Sequence, residues 1–284
     1  LALFFKKEHT FFLLLTLAAC AAQKPGAPGK TPLTQGRVAH GPLVADDHVP
    51  PFALVPWEAF SRQDTIAIVM REWRLFGQTV DDDPPGSRPP VPPDLKPERE
   101  PGLWQRVGEY WWIGQDPGER EVSWTGKHDE NGAVFDAADD AHYAWSAAFI
   151  SYVMRIAGAG QDFPYSPNHA TYINAAVSGG TPLLRGYPPQ TYAPVAGDLI
   201  CLGRGKSASL TFADLPTANL FPAHCDMVVQ VAPGSLSVVG GNVDDAVTMK
   251  HVPVDASGKL TGADGRVLDT RYPWMVVLRV NYAR

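Results

Sequence analysis

A hydroxyl, an imidazole and a carboxamide stand in three remote segments of the chain, each beside a turn or helix start able to present it. Ser146 opens the run Ser146-Ala147-Ala148-Phe149-Ile150-Ser151-Tyr152-Val153, in the first turn of a predicted helix. There the positive end of the helix dipole and the free backbone N–H groups favour developing negative charge. His224 leads the run Cys225-Asp226-Met227-Val228-Val229, so a strand could aim its ring at the hydroxyl as general base. Asn242 follows Gly240-Gly241 at the end of another predicted strand, from where its carboxamide could orient the imidazole. Together the three describe nucleophilic attack on a carbonyl. Plainer readings stand beside this one. Serine is favoured as a helix cap, a strand histidine often only satisfies a hydrogen bond, and Gly-Gly-Asn is ordinary turn composition. His142 and His169 are set aside as surface or capping residues.

The elements that must carry these groups follow from apolar spacing. Trp145, Ala148, Phe149, Tyr152, Val153 and Ile156 recur at three- and four-residue intervals, a helix over residues 143–157 that Gly158 and Gly160 end. Similar spacing predicts helices within 57–76 and 103–113, and a short one over 168–177. Prolines crowd residues 81–101, which forbids helix and central strand and predicts a long extended loop. After Pro182 the period shortens, and residues 199–202, 227–231, 236–239, 247–254 and 274–280 read as strands. Helices followed by about five antiparallel strands is an α+β order.

The succession of helix-borne nucleophile, Gly197-Asp198 turn, His224 strand and Gly241-Asn242 turn resembles the papain-like peptidoglycan peptidases and amidases of the NlpC and CHAP type. The likeness covers roughly residues 107–280. It implies a papain-like α+β domain, its N-terminal helices packed on the sheet. More closely, Val107-Gly108-Glu109-Tyr110-Trp111, Trp124-Thr125-Gly126 and Ala144-Trp145-Ser146-Ala147-Ala148-Phe149-Ile150-Ser151 resemble a bacterial lipoprotein family known as domain of unknown function 2272, a name that supplies no activity. The peptidases carry Cys where this chain has Ser146. A thiol is partly thiolate near neutral pH, whereas a hydroxyl must lose its proton during attack. Asn242 also lacks the charge with which a carboxylate stabilises imidazolium, and Asp226 and Asp244 are the candidates to supply it.

The resemblance leads to an expected hydrolase of an amide bond in cell-wall peptide, with Ser146 as nucleophile, His224 as base, Asn242 as orienter and no metal or organic cofactor. The alternative is a catalytically inactive module of the same fold that binds peptidoglycan or a partner. A purely structural envelope lipoprotein is a third reading. The tryptophans Trp104, Trp111, Trp112, Trp124 and Trp145 read mostly as core, with one or two free to line a sugar- or peptide-binding groove.

Lys6 and Lys7, the apolar residues 11–17 and the small residues before Cys20 read as an export signal. The apolar stretch is shorter than the ~20 residues that span a bilayer. Leu17-Ala18-Ala19-Cys20 resembles a bacterial lipobox, which implies cleavage of residues 1–19 and a lipid on Cys20. Residues 20–51 then form a flexible tether, 52–102 a helix with the Pro-rich loop, and 103–284 the α+β domain. Ala21 stands where an inner-membrane protein would carry Asp, which favours the outer membrane and a periplasm-facing protein. With 19% charged and 45% hydrophobic residues the 284-residue chain is globular in composition rather than disordered. Its net charge of −6 shows no basic excess, which argues against nucleic acid as a ligand. Cys201 and Cys225 are the remaining thiols, on strands expected to be neighbours in an oxidising compartment, so a disulfide is expected. A displaced nucleophile is the weaker reading, because neither cysteine opens a helix and Cys225 faces away from His224 on a strand.

Overall fold

The computed structural model describes residues 59–283 apart from 88, 90, 93–94, 117, 130 and 137–142; the export signal, Cys20, the tether and His142 lie outside them. Ser61 begins the first helix, its hydroxyl accepting from the Asp64 N–H at 3.1 Å and so capping α1 (Arg62–Leu75). Glu72, fully buried on α1, receives Arg106 Nε and the Tyr110 hydroxyl, both at 2.7 Å, from α2 (Leu103–Gly114). This charge-assisted pair ties the two helices together where an unpaired carboxylate could not be buried. α1 packs against α3 (Ser146–Ile156) and against strands of the sheet described below. α3 is buried from Ser146 to Met154. Its apolar spacing predicts a face, but α1 and α2 cover one side and strands the other, so nearly all of it lies inside. α4 (His169–Ser178) begins at Asn168, whose side chain accepts from the Ala170 N–H at 2.9 Å.

Six strands form one antiparallel sheet in the order β1-β6-β2-β3-β4-β5. They are β1 (Leu184–Tyr187), β2 (Leu199–Gly203), β3 (Ala223–Ala232), β4 (Ser235–Val243), β5 (Ala246–Pro253) and β6 (Trp274–Val280). The sequence reading expected about five and missed β1. That strand is four residues long at the sheet edge, and only Leu184 is buried, so it leaves no alternating pattern to read. Both sheet faces are covered. Cys201, Cys225, Met227, Val276 and Leu278 pack with the helices, while Ile200, Leu202, Val228, Val238 and Val277 pack with Leu260, Trp274 and Tyr272 on the other side. This two-sided burial is why the strands read as continuous apolar runs. Cys201 and Cys225 are directly opposite in the β2–β3 register and are joined by a disulfide.

Two features expected to be loop or turn prove to hold the frame. The Asp198 carboxylate, fully buried, accepts from Val195 N–H and the Tyr192 hydroxyl at 3.0 Å and from Val280 N–H at 3.1 Å, bolting the start of β2 to the end of β6. At the other edge, residues 79–82 dock along β5, with Met249 N–H donating to Thr79 O and Asp81 N–H to Met249 O. The Pro-rich segment thereby covers an edge strand that would otherwise expose its backbone.

Candidate active site

The start of α3 is set by the β4–β5 hairpin. Asp244 and Asp245 form its two-residue loop with φ of 51° and 59°, the positive values that match strand twist. Just before the loop, β4 must press against the helix, and at Gly241 a Cβ would lie 2.7 Å from both Phe149 Cβ and Trp145 Cζ3. Only glycine permits that approach. Asn242 then reaches the helix end. Its amide, oriented by its partners, accepts from Trp145 N–H at 3.1 Å and donates to Asp245 Oδ1 at 3.2 Å. The Trp145 indole donates to buried Glu98. Among the described residues no side-chain hydrogen bond caps α3, so the amide groups of its first turn are open to a negative charge.

Ser146, 6% exposed, lies within hydrogen-bond reach of one imidazole, that of His169 in the first turn of α4. Ser146 Oγ and His169 Nε2 are 2.7 Å apart, and His169 Nδ1 meets the Tyr172 hydroxyl one helical turn on. Burial pushes the His169 pKa well below 6.5, the charges of His224 and Arg204 add to this, and Asp226 opposes it. The ring is therefore neutral at pH 7. With its proton on Nδ1 towards Tyr172, Nε2 accepts from the serine hydroxyl, which is the arrangement of a nucleophile and its base. Burial and the nearby Asp226 charge raise the Tyr172 pKa well above 10, so the phenol holds the ring but carries no charge.

His224 belongs to a second cluster. On β3 it shares a face with Asp226, two residues on, and its Nε2 lies 2.7 Å from Asp226 Oδ1. Lys250 Nζ from β5 lies 2.6 Å from Asp226 Oδ2. Burial works against the Asp226 charge, but Lys250 and His224 overcome it and hold the carboxyl well below its usual range. Burial likewise lowers the His224 pKa, against Asp226. Gly240 makes room: a Cβ there would stand 1.8 Å from Asp226 Oδ1. The rings of His169 and His224 are 5.4 Å apart, edge to face.

Two roles read from the sequence are corrected by this geometry. Ser146 bonds His169, not His224, because Asp226 captures the His224 ring while the ends of α3 and α4 converge. Asn242 bonds the backbone of Trp145 rather than an imidazole, so it positions the helix end. His169 was set aside as a capping residue. Its signal was Tyr172 at i+3 behind an Asn168 cap, a pattern that aims an imidazole along a helix start.

These groups border an open cleft of about 510 Å³, lined by Ser146, His169, Arg204, Asn242, Lys127 and Asp245 among others. Lys127 Nζ sits 2.8 Å from Glu98 and 3.4 Å from Asp245, which also pairs with Lys96 at 2.5 Å. Burial and the Asp245 charge push Glu98 up to about 7 against the pull of Lys127. Among the described residues no three His, Cys, Asp or Glu side chains gather as a metal-binding group.

The depressed histidines predict a pH effect. A His169 pKa below 6.5 in the fold means that the unfolded chain binds protons first, so this residue's contribution is present above 6.5 and is lost as pH falls through its folded pKa. Glu98, raised to about 7, works oppositely, since its contribution is greatest below its unfolded pKa and shrinks as pH rises towards 7. The expected result is a difference: between pH 7 and 5, urea-unfolding stability changes more favourably in His169→Gln than in the unmodified chain. Parallel curves would contradict a neutral, buried His169.

The family model described as "Uncharacterized protein conserved in bacteria (DUF2272)" matches residues 98–280, a span that holds every residue of the site. No curated protein and no solved structure matches the chain.

Proposed function

The chain belongs to the uncharacterized bacterial DUF2272 family, and from that premise we propose that it is a serine-dependent hydrolase of amide bonds in cell-wall peptide. The observation that carries the reading is the 2.7 Å contact between Ser146 Oγ and His169 Nε2 at the uncapped start of α3, beside an open cleft. In this mechanism His169 Nε2 takes the hydroxyl proton as Ser146 Oγ attacks the carbonyl carbon. The oxyanion is met by first-turn N–H groups of α3. The imidazolium then returns its proton to the leaving amine, and the C–N bond breaks to leave an acyl-serine. Water, deprotonated by the same ring, releases the acid and restores the hydroxyl. Tyr172 keeps the ring in the required tautomer, and Asn242 holds the helix end.

The wall-peptide substrate rests on the NlpC and CHAP resemblance. The α+β order, with a helix-borne nucleophile packed on an antiparallel sheet, is consistent with a papain-like relationship. The export signal and Cys20 extend the proposal to a lipid-anchored, periplasm-facing protein. Among the described residues no helix is long and apolar enough to cross a membrane.

The test is covalent. A fluorophosphonate probe is expected to add to Ser146, seen as a mass increase on its peptide, and Ser146→Ala is expected to lose both the adduct and product release from purified wall fragments. Folded protein that binds wall fragments without labelling or turnover would instead identify the non-catalytic binding module.

A further inference from the structure

Beyond Ala144, Pro167 and Asn168, which border both, the Ser146 cleft adjoins a second cavity of about 480 Å³. Its wall carries the aromatic rings of Trp111, Trp124 and Tyr165 and the polar side chains of Gln115 and Glu121. Four buried polar atoms of these residues have no hydrogen-bond partner among the described residues: Trp111 Nε1, Gln115 Nε2, Gln115 Oε1 and Glu121 Oε2. Gln115 is 3% exposed, so its amide is withdrawn from solvent with both ends unmet. Burying such groups without partners is costly, and native cores rarely hold several together. Here the three residues that carry these two donors and two acceptors line one cavity together with the rings of Trp124 and Tyr165.

We propose that this cavity is a saccharide subsite that seats a neutral sugar ring of the substrate. A hydroxyl both donates and accepts, so a polyol answers the mixed set of Gln115, Trp111 and Glu121, whereas a single peptide group offers one donor and one acceptor. The half-buried rings of Trp124 and Tyr165 offer apolar surface to the C–H faces of a pyranose. Glu121 Oε1 lies 3.9 Å from Nε of the exposed Arg120, and Glu119 also lines the cavity, so a cation is the competing ligand that the test must include. The cavity is open like the Ser146 cleft and of a size that accommodates a small ligand. Contiguity with Ser146 makes the substrate a glycan-bearing peptide, a conclusion that rests on the hydrolase reading; the sugar site itself does not.

The experiment titrates chitotriose into the full chain and into Ser146→Ala, read by calorimetry and tryptophan fluorescence. Both are expected to bind it with a Kd at or below about 1 mM. Gln115→Leu, close in volume and apolar, is expected to weaken binding at least ten-fold while leaving the thermal midpoint unchanged or higher, because it removes unmet polar atoms. A merely structural Gln115 would instead lower the midpoint. Glu121→Gln, which keeps an acceptor, is expected to retain most of the affinity. No binding at about 10 mM, undiminished binding by Gln115→Leu, or preference for tetramethylammonium over the sugar would each overturn the subsite. Probe labelling of Ser146 separates the two claims: labelling without sugar binding removes only the subsite, and sugar binding without labelling removes only the hydrolase.

Discussion

Replacing His169 by alanine is expected to lower the rate of probe labelling and of wall-fragment turnover by roughly a hundred- to ten-thousand-fold, the usual contribution of a general base. Replacing His224 is expected to cost far less, about ten-fold, in the fraction that remains folded. The contrast follows from where each ring nitrogen points. His169 Nε2 is 2.7 Å from Ser146 Oγ, whereas His224 Nε2 is 2.7 Å from Asp226 Oδ1. A ring engaged by a buried carboxylate cannot also take the serine proton through that atom. The 5.4 Å between ring centroids allows His224 to influence His169 through charge and packing, so its loss should alter the pH profile more than the maximal rate. Labelling rates for His169→Ala, His224→Ala and the unmodified chain, at matched folded fractions by circular dichroism, decide the matter. A large loss in His224→Ala with little in His169→Ala would restore the assignment first read from the sequence.

Lys250→Met is expected to destabilise the protein by about 3–5 kcal/mol, the range for breaking a buried ion pair. Lys250 and Asp226 are 1% and 0% exposed and lie 2.6 Å apart. Without the ammonium, Asp226 must either stay charged in the interior or take up a proton, and both oppose folding. The methionine stem replaces most of the packing of Lys250 against Tyr272 and Trp274, which lie 4.9 and 5.8 Å from its ammonium, so the loss reports charge more than volume. Asp226→Asn in the Lys250→Met background should recover part of the stability, because a neutral amide beside His224 no longer buries a negative charge that has lost its ammonium partner. Urea midpoints with constant m-values measure both effects. A change below about 1 kcal/mol in Lys250→Met would mean that the pair is solvated and weak.

Most of the local structure was legible in the chain. The three- and four-residue spacing around Phe149 marks α3, and Ser166 and Asn168 are the two caps the chain offers for α4, of which the fold uses Asn168. The unbroken apolar runs at Leu199, Met227 and Trp274 mark buried strands, since each such pattern is set by neighbours a few residues apart. β1 escaped because an edge strand of four residues between prolines carries no period. The roles of Gly240 and Gly241 escaped too, for a glycine looks the same whether it makes a turn or admits a neighbour. Glu98, in the segment read as an extended loop, is buried and paired with Lys127.

By itself the sequence determined that a serine begins a helix with an apolar face, that an antiparallel sheet follows it, and that histidines lie on separate elements beyond. Which imidazole meets that serine was decided only in three dimensions. A hydrogen bond selects its partner by distances of a few tenths of an ångström. Those distances depend on how the ends of α3 and α4 converge and on the Asp226 carboxylate that turns the His224 ring away.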